Sequence, residues 1–209
     1  MLYGIRSVTM DDIALQLGVS KKTIYQFYAD KDTLVDEVME YKIGLNTCMC
    51  TQKFAEAENP VHEMFLGIEM IQAMFENMNA SILHELERFY PNAYKRLREH
   101  KYNFIYSMIQ QNLIKGVELG LYRDDFDIDI IIRYRLETMM IQFNQEVFPA
   151  SKYNLIEVAV ALTENFLYGI STAKGHKLIT KYKQKKNSKT TLPMLKSTIK
   201  GVLILVASL

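Results

Sequence analysis

The sequence predicts an all-α fold in which a small N-terminal head precedes a larger helical domain. Apolar residues recur at helical spacing along most of the 209-residue chain, and strand-like alternation never extends beyond a few residues. The chain contains only 9 Gly and 4 Pro, fewer than a turn-rich β protein needs. Its 49% hydrophobic and 23% charged residues exclude a disordered or fibrous chain. We place the head at residues 1–42, the helical domain at 43–182 and a Lys-rich tail, expected to be flexible, at 183–209.

The charge is distributed unevenly along the chain. The net charge is only +1, yet residues 174–200 carry nine Lys and no acid. Elsewhere 16 basic residues stand against 24 acidic ones, so the body of the protein has no broad basic surface. Any contact with nucleic acid must therefore be local.

The head begins with a short helix whose two ends are both marked. Thr9 stands three residues before Asp12, which is the spacing of a capping box, and Gly18 suits the left-handed turn that ends a helix. The side chains expected to face inward are Ile13, Ala14 and Leu17.

A sharp turn and a second helix follow. After Gly18, Val19 is expected to plug the core and Ser20 to cap the next helix, from which Ile24 and Tyr28 point inward. A small residue at the crossing, a glycine in the turn and an apolar anchor are the requirements of a helix-turn-helix motif.

The second helix exposes polar side chains near its N-terminus, the end that enters the major groove in such motifs. They are Lys21, Lys22, Thr23 and Gln26. Asp30 caps a further helix, whose first turn offers Lys31 and backbone amides to a phosphate. A bare helical hairpin is the alternative, but the capping box, turn, anchors and donors together favour DNA binding.

These residues resemble the tetracycline-repressor (TetR) family of bacterial regulators. The matching positions are 8–10, 12–14, 18–21, 23–25, 27–28, and Lys31 with Leu34. The resemblance implies a DNA-binding head and a ligand-binding and dimerisation domain, in a homodimer that leaves a palindromic operator when a small molecule binds. It implies phosphate contacts from Thr9, Tyr25 and Lys31, and the DNA-binding set becomes Thr9, Ser20, Lys21, Lys22, Thr23, Tyr25, Gln26 and Lys31.

The resemblance fails at two points. Family members commonly carry His where Phe27 stands, and residues 1–4 look like only the last turn of the family's first helix. We therefore expect an N-terminally shortened form in which the inward-facing residues are poorly covered: Ile13, Leu17, Ile24 and Tyr28. The alternative function is a DNA-incompetent helical ligand-binding dimer.

Helix ends and apolar stripes predict the larger domain. Pro60 directly after Asn59 marks the first turn of a helix. A long helix is expected from about Asn92 to Leu119, ending at Gly120 in a left-handed C-cap.

Two more helices are expected over residues 127–148 and 152–171. The second carries Val160, Ala161 and Leu167 outside its main apolar stripe, so a single buried seam cannot hide it. It is either a central core helix or part of a four-helix interface with a second chain. We assign the homodimer contact to residues 127–171.

The interior is rich in Met and aromatic residues, with 12 Met in the chain. Flexible Met and amphipathic Tyr suit a pocket for varied apolar effectors, although simple core packing is the alternative for any one residue. The pocket candidates are Phe65, Phe75, Met78, Tyr102, Tyr106, Tyr134, Met139 and Phe143.

No catalytic, metal or cofactor site is expected. Cys48 and Cys50 stand two apart, so on a helix they point about 200° away from each other. His62 and His84 each lack a second His four residues away, and neither a glycine-rich phosphate loop nor a nucleophile elbow occurs. The sequence therefore predicts a regulator that is not an enzyme.

The compartment is predicted to be the cytoplasm. Only two Cys occur, and no secretory leader follows Met1. The apolar residues 201–209 are too few to span a membrane. They either lie on a membrane surface, pack on the body or derive from a neighbouring reading frame, and the last two explanations are favoured.

Overall fold

The computed structural model describes residues 4–76, 78–79 and 81–189 of the chain. These residues divide into two compact units, one within 1–46 and 77–99 and the other within 47–76 and 100–194. Helices account for nearly all of the regular structure in the described ranges, which confirms the all-α prediction; a single isolated bridge joins Tyr122 and Ser171.

The first unit contains the predicted head. Its elements are a short 3-10 helix Ile5–Ser7, α1 Met10–Leu17, α2 Lys21–Tyr25, the first part of α3 Lys31–Ala55, α5 Ile82–Phe89 and most of α6 Pro91–His100. One buried cluster consists of Met10, Ile13, Ala14, Ile24 and Leu34, and a second of Ile5, Val35, Leu86, Tyr90 and Ala93. The second cluster brings in α5 and α6, which the sequence prediction had placed in the larger domain.

The second unit is a helical bundle. It contains the end of α3, then α4 Pro60–Phe75, a π-helical segment Lys101–Ile105, α7 Tyr106–Glu118, α8 Ile128–Ile141, α9 Leu155–Ile170 and α10 Ala173–Lys189. Helix α9 packs against α4 and α8, and α7 packs against the same two helices. Ile68, Leu113, Ile132, Leu136 and Leu167 are fully buried at the centre of this unit.

The ends of these helices agree with most of the signals in the sequence. Asn59 caps α4, with Pro60 in its first turn, and Gly120 ends the long helix at φ 63°. That helix is not α-helical throughout, because residues 101–105 adopt π geometry. The helix that starts after Asp127 stops at Ile141, and turns lead on towards Phe148.

A buried hydrogen-bonded chain joins α4 to α7 and the turn after it. The Tyr122 hydroxyl donates to Asn112 Oδ1 at 3.0 Å, and Asn112 Nδ2 donates to the Pro60 carbonyl at 3.0 Å. The Tyr122 ring also fills the space beside Gly116, where a Cβ would collide with it. These polar groups are therefore satisfied without water, as buried polar groups must be.

Tyr182 of helix α10 contacts the start of α4 through hydrogen bonds and ring stacking. The Tyr182 hydroxyl donates to Glu58 Oε2 at 3.0 Å and accepts from Asn59 Nδ2 at 2.8 Å, and its ring stacks on His62 at 4.8 Å. Because α10 continues to Lys189, residues 183–189 are helical, whereas the predicted tail began at 183. The rest of that tail, including 201–209, lies outside the described residues. Among the helices described, none combines the length and apolar character required to cross a membrane.

Candidate nucleic-acid interface

The start of α1 is fixed by the predicted capping box. Thr9 Oγ1 accepts a hydrogen bond from the Asp12 amide at 3.1 Å and donates to Asp12 Oδ2 at 2.6 Å. The Thr9 amide donates to the same carboxylate oxygen at 2.8 Å. The Thr9 hydroxyl bond is the largest of the effects that hold the pKa of Asp12 below its ordinary value. Both the hydroxyl and the amide of Thr9 are thus engaged within the head.

The turn between α1 and α2 also follows the prediction. Gly18 takes the left-handed conformation at φ 67°, and the amides of Gly18 and Val19 donate back to the carbonyls at the end of α1. Ser20 caps α2, because its Oγ accepts from the Thr23 amide at 3.0 Å. The Ser20 and Thr23 hydroxyls also share a hydrogen bond of 2.8 Å.

The packing beneath the motif differs from the sequence prediction at both helix ends. Ile13 and Ile24 are buried, because Leu34 and Val38 of α3 cover them, so the expectation that they would be poorly covered is wrong. Tyr28 packs against the same cluster and is partly buried. Leu17 and Val19, by contrast, are 44% and 41% exposed, so neither faces the core as predicted. They belong to the last turn of α1 and the link after it, which no described element of this unit covers.

The predicted groove-facing side chains do lie together on one accessible surface. Lys21, Lys22, Tyr25 and Gln26 are exposed, whereas Thr23 is half-buried. Lys21 forms an ion pair with Asp11 of α1 at 2.7 Å, a contact that raises the pKa of Lys21. Both partners are well exposed, so salt and competing phosphates can open this pair easily.

Lys31 occupies an unexpected place. Its ammonium donates to the carbonyl oxygens of Ile5 at 2.7 Å and Val8 at 2.5 Å, with a longer contact to Arg6 at 3.4 Å. Burial lowers the pKa of Lys31. An ammonium has three N–H donors, and here three carbonyl oxygens accept them. The segment in front of α1 therefore fills the hydrogen-bonding capacity of Lys31. This geometry gives no support to the phosphate role implied by the resemblance.

The residues predicted for the ligand pocket do not form one cluster. Phe65 is part of the core of the second unit, Phe75 and Phe143 meet edge to face at 5.2 Å, and Met139 is half-buried. Two tyrosines are on the outside of that unit or at its edge: Tyr102 is exposed and donates to Glu137 Oε1 at 2.6 Å, and Tyr106 donates to Asp129 Oδ1 at 2.6 Å. The two remaining candidates are Tyr134, which is exposed, and Met78, which belongs to the first unit.

Sequence reasoning missed Arg135, a charged residue in the core of the second unit. Only 4% of its surface is exposed, its Nη2 donates to Thr163 Oγ1 at 2.8 Å, and its guanidinium lies 5.0 Å from the centre of the Phe166 ring. Burial lowers the pKa of Arg135 to about 10, so it remains cationic at neutral pH. The available signal was its position in register with the buried Ile132 and Leu136 on α8.

The cysteines and histidines give no sign of a metal site. Cys48 is exposed, whereas Cys50 is buried, which raises the pKa of its thiol. Across residues 4–76, 78–79 and 81–189, no three His, Cys, Asp or Glu side chains are grouped so as to hold an ion.

Comparison with known proteins agrees with the geometry of the head. Residues 1–38 match the family model of the bacterial regulatory proteins of the tetR family. This match identifies the N-terminal head as a TetR-type DNA-binding head. The chain is 32% identical over 98 residues to the HTH-type transcriptional regulator YvaF of Bacillus subtilis (strain 168), a match that covers 44% of this chain and 48% of that protein. The chain thus spans about half the length of this relative.

Longer but weaker likenesses cover more of the chain. It is 24% identical over 145 residues to the HTH-type transcriptional repressor KstR2 of Mycobacterium tuberculosis (strain ATCC 25618 / H37Rv), covering 65% of this chain and 69% of that one. The solved structure of the ketosteroid regulator KstR2 superposes with TM-score 0.58 at 19% identity, over 80% of this chain and 87% of the other. FadR from Bacillus subtilis, in complex with stearoyl-CoA, gives TM-score 0.58 at 15% identity, over 79% and 90%. At such identities the structures establish a shared fold.

Proposed function

We propose that the protein is a ligand-responsive transcriptional repressor, which binds a palindromic operator as a homodimer and leaves it when a small apolar molecule binds. One observation carries this proposal. The capped, left-handed turn at Gly18 presents the N-terminal half of α2 with Lys21, Lys22, Tyr25 and Gln26 exposed side by side. This is the end of a recognition helix that enters the major groove.

The eight predicted DNA-binding residues divide into two groups by their hydrogen bonds. We assign direct contacts to the exposed Lys21, Lys22, Tyr25 and Gln26, of which Lys21 first leaves Asp11. We assign a positioning role to the four whose polar groups are already used inside the head: Thr9, Ser20, Thr23 and Lys31. The second group acts by fixing where α1 and α2 begin.

The proposed homodimer uses the outer surface of residues 127–171. The apolar character of most of α9 requires no partner chain, because Ala159, Phe166 and Leu167 are buried inside this chain. Large apolar side chains nevertheless remain exposed on α8 and α9, namely Ile130, Tyr134, Ile141 and Tyr168. An exposed apolar surface of this kind is typical of an interface.

The proposed effector is a small molecule with a large apolar part. KstR2 is named a ketosteroid regulator and FadR was solved with stearoyl-CoA, so two proteins of this fold are associated with apolar ligands. The larger unit of this chain offers a core of aromatic and aliphatic side chains, flanked by the half-buried Met64 and Tyr106. Such surroundings suit an apolar ligand.

The direct test is binding of the full chain to DNA from its own promoter region, measured by fluorescence anisotropy over a range of salt. We expect sequence-selective binding that weakens as salt rises, because phosphate contacts release counterions. Lys22→Gln should reduce both the affinity and the salt slope, whereas Lys177→Gln, which removes one charge from the exposed side of α10, should change neither.

The same titration separates the proposal from its alternative. A folded dimer that shows no preference for any DNA sequence at any salt concentration would be a ligand-binding protein without operator function. Selective binding by the 209-residue chain excludes that alternative.

A further inference from the structure

Arg135 lies where a charged side chain needs an anionic partner. The guanidinium is buried in the second unit between α8 and α9, and its side-chain hydrogen bond goes to Thr163 Oγ1. That hydroxyl donates its own proton to the Ala159 carbonyl at 2.8 Å, so it acts only as an acceptor towards Arg135. A neutral hydroxyl satisfies one N–H and cancels no charge.

Two arginines near Arg135 in the sequence have the carboxylate partner that Arg135 lacks. Arg123 and Arg133 are both exposed, and each pairs with an aspartate at 2.8 Å, Asp125 and Asp129 respectively. Within residues 4–76, 78–79 and 81–189, no carboxylate lies within ion-pair distance of Arg135. Of these three arginines, the one with the least access to water therefore has no acidic partner, although an uncompensated buried charge is strongly destabilising.

Arg135 is surrounded by apolar side chains. One of them, Phe166, contacts Tyr134, which is at the surface. The Phe166 ring lies 5.0 Å from the guanidinium, and the same ring packs against Tyr134 at 6.4 Å. Tyr134 is half exposed, whereas Ile132 and Leu136 on the same helix are fully buried. An amphiphile bound here would therefore contact aromatic rings beside the cation.

We propose that Arg135 binds the acidic group of the effector, and that the effector is an apolar carboxylate. A guanidinium presents its N–H donors as a planar fork that matches the two oxygens of a carboxylate, and such charged hydrogen bonds are the strong ones. Thr163 holds the fork in place through Nη2, and Phe166 supports its face. The apolar part of the ligand then lies among the core residues of the second unit. Binding of the carboxylate by Arg135 does not depend on the proposed function. Only the consequence of that binding, release of the operator, rests on it.

The test compares acids with their uncharged esters on the purified full chain. Decanoate, dodecanoate and hydrocinnamate are each titrated beside their methyl esters, with isothermal titration calorimetry and thermal unfolding as readouts. We expect at least one acid to bind roughly tenfold or more tightly than its ester, the difference expected for a charge-assisted hydrogen bond. If no acid binds better than its ester, the proposal is overturned.

Variants identify the residue responsible. Arg135→Met, which keeps the length of the side chain and removes the charge, should abolish the preference for acid and leave ester binding unchanged. Arg133→Met removes an exposed arginine two positions earlier and should keep the preference. A folded Arg135→Met protein that still prefers acids overturns the proposal. Arg135→Lys, which keeps the charge without the fork, should lose most of the preference and serves if Arg135→Met does not fold.

Failure of this inference and failure of the proposed function are distinguishable. Operator affinity is measured on the same samples with and without each compound. If acids and esters bind alike and either one releases the DNA, the repressor proposal stands and the role of Arg135 is wrong. If acids bind through Arg135 and the chain selects no DNA sequence, the site stands and the repressor proposal is wrong.

Discussion

The Lys31 ammonium donates to the carbonyl oxygen of Ile5 at 2.7 Å, across 26 residues of sequence. This bond, with the similar one to Val8, ties the first turn of α3 to the segment that leads into α1. The side chain thereby holds the segment in front of the helix-turn-helix motif against α3.

Replacing Lys31 with Met should therefore lower both the thermal stability of the head and the operator affinity. The partly buried carbonyls of Ile5 and Val8 would lose their donor, at a cost of about 1 kcal/mol. Circular dichroism melting and DNA titration measure the two effects. Lys22→Gln provides the contrast, because it should reduce affinity without changing the melting temperature. A Lys31→Met protein with unchanged stability and lower affinity would instead indicate a direct phosphate contact.

Gly18 should be sensitive to substitution although there is free space around it. Apart from its two chain neighbours, no atom of the described residues lies within 4 Å of a Cβ added there, so only the left-handed backbone at φ 67° resists a side chain. Gly18→Ala should cost about 1–2 kcal/mol of unfolding free energy, measured by urea denaturation. Gly44 has the same free space within α3 and no left-handed backbone. Gly44→Ala should be neutral or stabilise the helix, and equal effects at the two positions would contradict the strain argument.

The capping box predicts a dependence on acid. The pKa of Asp12 is lowered in the folded protein by its bonds from Thr9, so its contribution to stability is present at neutral pH. That contribution is lost as the pH falls below the unfolded value of about 3.9 and through the lower folded value. The wild-type chain should be more stable than Asp12→Asn at neutral pH, and the difference should vanish in acid. Melting curves across that range test it; a difference that grows on acidification would contradict the assignment.

The proposed homodimer can be tested at Ile130, which is 65% exposed on α8. Ile130→Asp should yield a folded monomer, because the charge meets solvent in one chain and an apolar surface in the dimer. Leu119→Asp, on an exposed side chain outside residues 127–171, should leave the dimer intact. Ala159, by contrast, is only 2% exposed in the single chain, so a charge there would unfold the protein and give no information on the interface. Sedimentation analysis distinguishes these results, and a dimeric Ile130→Asp protein would remove α8 from the interface.

Tyr25 and Gln26 should differ in how they affect DNA selection. Both are exposed on α2. Tyr25→Ala should weaken binding to all sequences alike, since a phosphate contact carries no sequence information. Gln26→Ala should change the preference among operator variants by about 1–3 kcal/mol at the contacted base pair. Competition between operator variants provides the measurement, and a uniform loss from Gln26→Ala would contradict base contact.

The caps of the head could be predicted because each involves residues three apart. Thr9 with Asp12, and Ser20 with Thr23, form hydrogen bonds that local sequence spacing is enough to indicate. The exposure of Leu17 could not be predicted in this way, since the sequence does not show how far α3 extends over the end of α1.

The contacts of two cations, Lys31 and Arg135, could not be predicted from the sequence. Lys31 reaches Ile5 over 26 residues, and Arg135 reaches Thr163 over 28. In each case a cation proves to be engaged by groups far away in the sequence. The inclusion of α5 and α6 in the first unit has the same origin, because only the fold brings Leu86 and Tyr90 next to Ile5 and Val35.

The Tyr182 contacts with Glu58 and Asn59 also decide how the C-terminal Lys-rich segment responds to proteases. Trypsin cuts after lysine, and the last turns of α10 offer it several sites. A cut after Lys185 leaves Tyr182 and Ile179 in place. The bundle then keeps the Tyr182 hydroxyl that binds Glu58 and Asn59, and the fully buried Ile179 side chain. A cut after Lys177 removes both and exposes the beginning of α4. Trimming that spares the bundle must therefore stop beyond Tyr182, and beyond Lys183 as well if its ion pair with Glu164 at 2.6 Å is to be kept.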